Sequence, residues 1–201
     1  METALIALAA YCLGSISFAM FVSKLMGLPD PRSYGSNNPG ATNVLRSGSK
    51  LAAALTLLGD TGKGALAVWL ATLWTGTPAV TGAEAPIAGA MAFLGHLYPA
   101  FHGFKGGKGV ATAAGVLLAI DPWLGLGVLG SFAIMVLFFR MVSLASITAA
   151  LFAPVWAFWL FGMRPVVPSV AAIAILLIWR HHENIGRILR GQESRLGQRK
   201  T

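Results

Sequence analysis

TALIALAAYCLGSISFAMFVS, residues 3–23, runs for twenty-one residues without a charged side chain. A helix gains about 1.5 Å per residue, so this length covers the roughly 30 Å hydrocarbon core of a bilayer. Glu2 precedes the stretch and Lys24 follows it. A secretory signal would need a positive leading region and a small-residue cleavage site. Neither is present, and Tyr11 stands before Cys12 where a lipoprotein site wants a small side chain. The stretch therefore reads as a retained first transmembrane helix. Cys12, the one cysteine of the chain, reads as a buried thiol acting as a small hydrophobe.

The same pattern recurs outward from this span. Apolar stretches lie at 51–74, 85–101, 109–120, 123–139, 142–161 and 166–179. Asp121-Pro122 divides two of them, which predicts a tight helical hairpin. The 201 residues are 56% hydrophobic and 11% charged, and mean hydropathy is +0.70. A soluble domain carries about 25% charged residues, so here lipid must solvate much of the surface. The expected fold is a single all-α integral membrane domain over 1–201 with about seven transmembrane helices, some short. Six is the alternative count.

Net charge is +8. Such a charge suits nucleic acid or anionic lipid, and its placement decides between them. With seven spans, the C-terminal side collects Lys24, Arg32, Arg46, Lys50, Lys105, Lys108, Arg140, Arg180, Arg187, Arg190, Arg195, Arg199 and Lys200. The other side has Arg164 with Glu2, Glu84 and Asp121. Basic residues in short loops stay cytoplasmic, which predicts the N-terminus outside and the C-terminus inside. Membrane lipid is the expected partner, and nucleic acid is not. The polybasic tail needs no role beyond topology and anionic lipid. No internal repeat supports an inverted-repeat transporter.

The polar stretches interrupting the spans fall on the C-terminal side, near 27–50, 95–112, 140–147 and 181–193. GSNNPGATNVLR, residues 35–46, has no acid. Its Gly and Asn residues tolerate positive φ and can turn N–H groups inward as an anion nest. Ser36, Asn37, Thr42 and Asn43 add neutral donors, and Arg46 can grip a phosphate with two N–H groups. A turn-rich surface loop has the same composition. Gly103–Gly109 packs four glycines (Gly103, Gly106, Gly107, Gly109) and two lysines (Lys105, Lys108) into seven residues before a helix. Glycine-freed amides, a helix N-terminus and two ammonium groups favour an anion. It is no Walker A loop, because His102 sits where the leading glycine belongs.

Asp60 and Lys63 share a face with Thr56 inside the second span. They fit a structural ion pair or the wall of a substrate cavity, Lys63 adding positive potential. His96 opens the glycine–lysine stretch. His181-His182-Glu183-Asn184 follows the last span. Adjacent side chains on a helix diverge, and no H-E-x-x-H or spaced Cys/His set exists, so no metal site is expected. The histidines suit helix capping or donation to a substrate. Ser15, Ser17, Ser143 and Ser146 offer hydroxyls at similar depth, while Gly14 suits close helix packing.

Taken together, GSNNPGATNVLR at 35–46, D-x-x-K-G at 60–64, GHLYPAFHGFKGGKGVAT at 95–112, SLASI at 143–147 and HHENIGRILRGQE at 181–193 resemble the bacterial acyl-phosphate:glycerol-3-phosphate acyltransferases (the PlsY family). The order and spacing match along essentially the whole chain. The resemblance implies a seven-helix inner-membrane enzyme with a cytoplasmic active site. It implies acyl transfer from acyl-phosphate to the 1-hydroxyl of glycerol 3-phosphate, yielding lysophosphatidic acid and phosphate. By that likeness Ser36, Arg46 and Lys105 hold glycerol 3-phosphate. The backbone of Gly106-Gly107-Lys108-Gly109 receives the acyl-phosphate head, and His181 and Asn184 complete the pocket. Lys105, His181 and Asn184 are the expected catalytic residues. The remaining expected substrate contacts are Asn37, Thr42, Asn43, Asp60, Lys63, His96, Gly103, Ser143 and Glu183. The one departure is His182, where a basic residue would be expected.

A mixed anhydride is already activated, so positioning and charge stabilisation suffice. The chain accordingly has no G-x-S-x-G elbow, no Cys beside a His, and no H-x-x-x-x-D. No cofactor is expected, and the protein is expected to be a monomer. A substrate phosphate oxygen, His181 and His96 are the alternative acceptors for the hydroxyl proton. An organic-phosphate transporter would need polar outer loops, and a head-group phosphotransferase would need clustered Asp residues. Neither feature is found.

Overall fold

The computed structural model describes residues 1–197, so Arg199 and Lys200 of the tail lie outside the described residues. Ten α-helices follow in chain order, and no strand occurs among the described residues. They are α1 Glu2–Gly14, α2 Phe18–Leu25, α3 Ala41–Val44, α4 Lys50–Thr75, α5 Glu84–Leu97, α6 Val110–Ile120, α7 Pro122–Phe139, α8 Val142–Phe161, α9 Val166–Arg180 and α10 His182–Leu189. Each expected apolar stretch is largely helical. Glu2–Leu25, Lys50–Thr75, Pro122–Phe139 and Val142–Phe161 are long and apolar enough to cross a membrane.

Two expectations are corrected. The first span is broken: α1 ends at Gly14, α2 begins at Phe18, and Ser17 at the joint is extended. Ser15 turns its hydroxyl onto the Tyr11 carbonyl and receives the Ala100 N–H, which pulls the chain out of the helical ladder. The third stretch also ends early, at Leu97. Pro99 and the 3-10 turn Ala100–His102 carry 98–102 away from the axis. The Asp121-Pro122 hairpin forms as expected. Asp121 Oδ1 accepts the Leu124 N–H at 3.0 Å and Pro122 fills the first helical position.

Lipid-facing helices associate through close backbone approach, because lipid is as apolar as their side chains. A Cβ on Gly14 would collide with the Ala92 carbonyl, and one on Gly95 with the Tyr11 carbonyl, which locks α1 against α5. α4 lies against both α5 and α6, α7 against α8, and α8 against α9. Large apolar residues point outward on α7, among them Trp123, Leu126, Leu137 and Phe138, while small ones such as Ala67, Ala88, Ala92 and Ala153 fill the interior.

Depth is set by helix length. α4 spans 26 residues, or about 39 Å, while α6 has 11, or about 16 Å. Gly107 touches His96, and His96 touches Asp60. Asp60 lies ten residues along α4 from Lys50, which is about 15 Å. The glycine–lysine loop is therefore sunk between the helices. Non-helical backbone is tolerated at such depth only where protein or a cavity surrounds it.

Candidate active site

Many of the expected site residues fall into three clusters. In the first, Asn43 organises the 31–46 loop. Its Oδ1 accepts the Ser36 N–H at 2.9 Å and Arg46 Nη1 at 3.4 Å, while its Nδ2 donates to the Pro31 and Tyr34 carbonyls at 2.6 and 3.1 Å. Asn43 is buried with its amide committed inside the loop, whereas Ser36, Asn37, Thr42 and Arg46 are exposed. Asn37 takes φ 54° and Gly35 φ 63°, the inward-turning backbone expected of a nest. A Cβ on Gly35 would collide with Asn43 Oδ1 and crowd Arg46.

The second cluster joins α4, which is long and apolar enough to cross a membrane, to the end of α5. Lys63 Nζ lies 2.9 Å from Asp60 Oδ1 and donates to the Ile16 carbonyl at 2.6 Å. His96 Nδ1 lies 3.5 Å from the same Asp60 oxygen. Of the two alternatives for this pair, the ion pair is the arrangement observed. Both head groups are buried and engaged with protein.

The third cluster joins loop, last helices and tail. Lys108 Nζ donates to Asn184 Oδ1, and Asn184 Nδ2 donates to Glu193 Oε1 at 2.7 Å. Ser143 Oγ donates to that same oxygen at 2.8 Å, and Arg187 Nε to Oε2 at 2.7 Å. Burial works to raise the Glu193 carboxyl, but donation from Arg187, Ser143 and Asn184 prevails and holds it below its ordinary value. Burial pushes the Lys108 ammonium down, with Arg187 adding repulsion. Such a cation gains strongly from an added anion.

His181 is buried, and its Nδ1 lies 2.8 Å from the Leu177 carbonyl. The carbonyl can only accept, so Nδ1 carries the proton and Nε2 is left as an acceptor. Burial, reinforced by Lys108, pushes the ring from 6.5 to about 4. His182 points away, against Trp179. Glu183 is exposed and reaches only Arg187, at 3.9 Å. Ser146 bonds back to the Val142 carbonyl and stands apart from the cluster.

The glycine–lysine loop differs from expectation in one respect. The N–H groups of Gly106 and Gly107 donate to the Leu97 and His96 carbonyls at 3.2 and 3.1 Å, closing the loop onto the end of α5. Arg180 holds the other side, donating to the Gly106 carbonyl at 3.0 Å and the Gly107 carbonyl at 3.2 Å from above the Tyr98 ring. Those two amides are therefore not open to a ligand. The amides of Lys108, Gly109, Val110, Ala111 and Thr112 find no protein acceptor among the described residues. The open nest is thus displaced toward the start of α6. Lys105 is exposed, and Gly103 sits in a left-handed turn at φ 62°.

Sequence reasoning missed Glu193 and gave Arg180 only a topogenic role. Glu193 is the one acid among Arg187, Arg190 and Arg195, a contrast that could have singled it out. No hydrogen bond or ion pair links the first cluster to the others among the described residues. A cavity of about 590 Å³ does connect the start of the first loop, through Leu28, Asp30 and Pro31, with Phe101 and His102 of the second.

Known proteins share this fold and sequence. A family model described as glycerol-3-phosphate acyltransferase matches residues 4–191. The glycerol-3-phosphate acyltransferase of Ralstonia nicotianae is 56% identical over 198 residues, covering 98% of this chain and 96% of that one. Its counterpart in Burkholderia orbicola is 58% identical over 203 residues, covering 100% and 96%. Crystal structures of PlsY (YgiH), an integral membrane glycerol 3-phosphate acyltransferase, superpose closely. The glycerol 3-phosphate form gives a TM-score of 0.90 at 39% identity, covering 98% of this chain and 96% of that one. The lysophosphatidic acid form gives 0.89 at 38% with the same coverage. A fold, a family pattern and a level of identity that hold over nearly the full length make this chain an integral membrane member of the glycerol-3-phosphate acyltransferase family.

Proposed function

We propose that the protein transfers a fatty acyl group from acyl-phosphate to the 1-hydroxyl of glycerol 3-phosphate, releasing lysophosphatidic acid and phosphate. The observation that carries this reading is the third cluster. Lys108, Ser143, Asn184 and Arg187 gather on or around one buried carboxylate, beside five amides without acceptors. That donor set suits a phosphate monoester or an acyl-phosphate head.

In this reading Ser36, Arg46 and Lys105 hold glycerol 3-phosphate, with Asn37 and Thr42 beside them. Lys108 and the amides from Lys108 onward receive the donor phosphate, Asn184 fixes Lys108, and Ser143 stays committed to Glu193 beside them. The hydroxyl oxygen attacks the acyl carbon, the acyl–O–P linkage breaks at the carbonyl, and the bonding pair leaves on phosphate. A donor phosphate oxygen takes the hydroxyl proton. The low proton affinity of His181 supports this assignment, because a base near 4 is poorly matched to neutral pH. His181 serves instead as an acceptor for the incoming hydroxyl through Nε2. The monomer lies in the bacterial plasma membrane with its N-terminus outside and the site facing the cytoplasm.

The test uses purified protein, acyl-phosphate and glycerol 3-phosphate with chelator present, reading phosphate release. Release without metal is expected. Lys105→Ala should lower turnover about 100-fold, the scale of one charge-assisted phosphate contact. His181→Gln should cost less than about tenfold, whereas a general base contributes about 100-fold or more. No release, or release only with metal, overturns the reading.

A further inference from the structure

Ionisable groups inside a span are costly, and a buried ion pair is a weak source of stability. Asp60 and Lys63 must therefore be asked what they do besides neutralise each other. The break between α1 and α2 leaves the Ile16 carbonyl without a backbone donor, and Lys63 Nζ supplies one at 2.6 Å. In lipid an unmatched carbonyl costs several kcal/mol. Asp60 balances Lys63 at 2.9 Å, and the same carboxylate oxygen faces His96 Nδ1 at 3.5 Å. His96 in turn grips Gly107 twice. Its carbonyl accepts the Gly107 N–H at 3.1 Å, and its Nε2 lies so close that a Cβ on Gly107 would collide with it. Lys108 is the next residue.

We propose that Asp60 and Lys63 are positioning residues: through His96 they set the place of Gly107 and Lys108 against the break in the first span. They touch no substrate. The chain of contacts starts from the break carbonyl and runs through Lys63, Asp60 and His96 to Gly107. Its far end is the lysine whose ammonium meets Asn184. A cation and an anion kept inside the bilayer are thereby accounted for by the loop they hold. The kinetic half of the test rests on the acyltransferase reading, and the structural half does not.

The test compares the full chain with Asp60→Asn and Lys63→Met in detergent, by amide hydrogen exchange and by turnover. Exchange over 103–109 should speed by about tenfold or more while α8 keeps its protection. Turnover should fall by a similar factor. Normal exchange over 103–109 in a folded Asp60→Asn protein overturns the proposal. So does acceleration spread equally over all helices, which marks a pair that only stabilises the whole. If neither single variant can be purified, the double variant, which leaves no unpaired charge, is judged by the same criteria. Failure of all three to fold assigns the pair a purely structural role and also overturns it. If exchange changes as expected but no variant or parent turns over acyl-phosphate, the acyltransferase reading fails and the positioning role stands.

Discussion

Glu193 shows how a single residue can order a site from outside the segments that first draw attention. Its two carboxylate oxygens take hydrogen bonds from Ser143, Asn184 and Arg187, so it fixes the orientation of the amide that meets Lys108. Glu193→Gln keeps the shape and removes the charge. Hydrogen bonds to a charged group are worth about 1.5–3 kcal/mol, so kcat/KM for the donor should drop about 10- to 100-fold. Because its folded value lies below the ordinary one, its contribution to stability is present above that ordinary value and is lost as pH falls through the folded value. His181 acts in the same direction over a higher range. Buried and neutral, it titrates near 4 in the folded protein and near 6.5 when unfolded. Between those values the unfolded chain binds more protons, so stability declines as pH drops from 6.5 toward 4, by up to about 3 kcal/mol. Thermal melts of His181→Gln across that range should show a flatter slope than the parent.

Among the elements, the apolar stretches were legible because lipid asks for one simple property, length without charge. The helix ends were less so. Ser15, Ile16 and Ser17 are all compatible with a helix in lipid, and the break between α1 and α2 depends on partners far along the chain, Lys63 and Ala100. The glycine–lysine loop was legible as unusual, but not in which of its amides remain open. That depended on the carbonyls at the end of α5 and on Arg180, neither of which lies within the motif. Gly14 was read correctly as a packing residue because lipid-facing helices need small side chains at their crossings. Gly14→Val should push α1 off α5 and cost about 1–3 kcal/mol of stability, seen as a lower melting temperature in detergent. Gly107→Ala should lower both turnover and the melting temperature, since the added methyl meets the ring of His96, which is itself buried against Asp60.

For the molecule as a whole, the asymmetry of basic residues remains the ground for the proposed orientation. Single cysteines placed at Glu2 and at Gln192 in a Cys12→Ala background should react with an impermeant thiol reagent from opposite sides of sealed vesicles, the first from outside. The short α6 and the sunken loop carry a further consequence. A soluble substrate has to descend to meet the loop, while an amphiphilic donor in the same leaflet meets it without leaving the membrane. The height at which the donor presents its head group is fixed by the bilayer, whereas the height of Lys108 is fixed by α4. The two match only over a narrow range of hydrocarbon thickness. In vesicles of graded lipid chain length, the rate at saturating glycerol 3-phosphate should pass through a maximum, so that the host membrane itself acts as a tuning variable for catalysis.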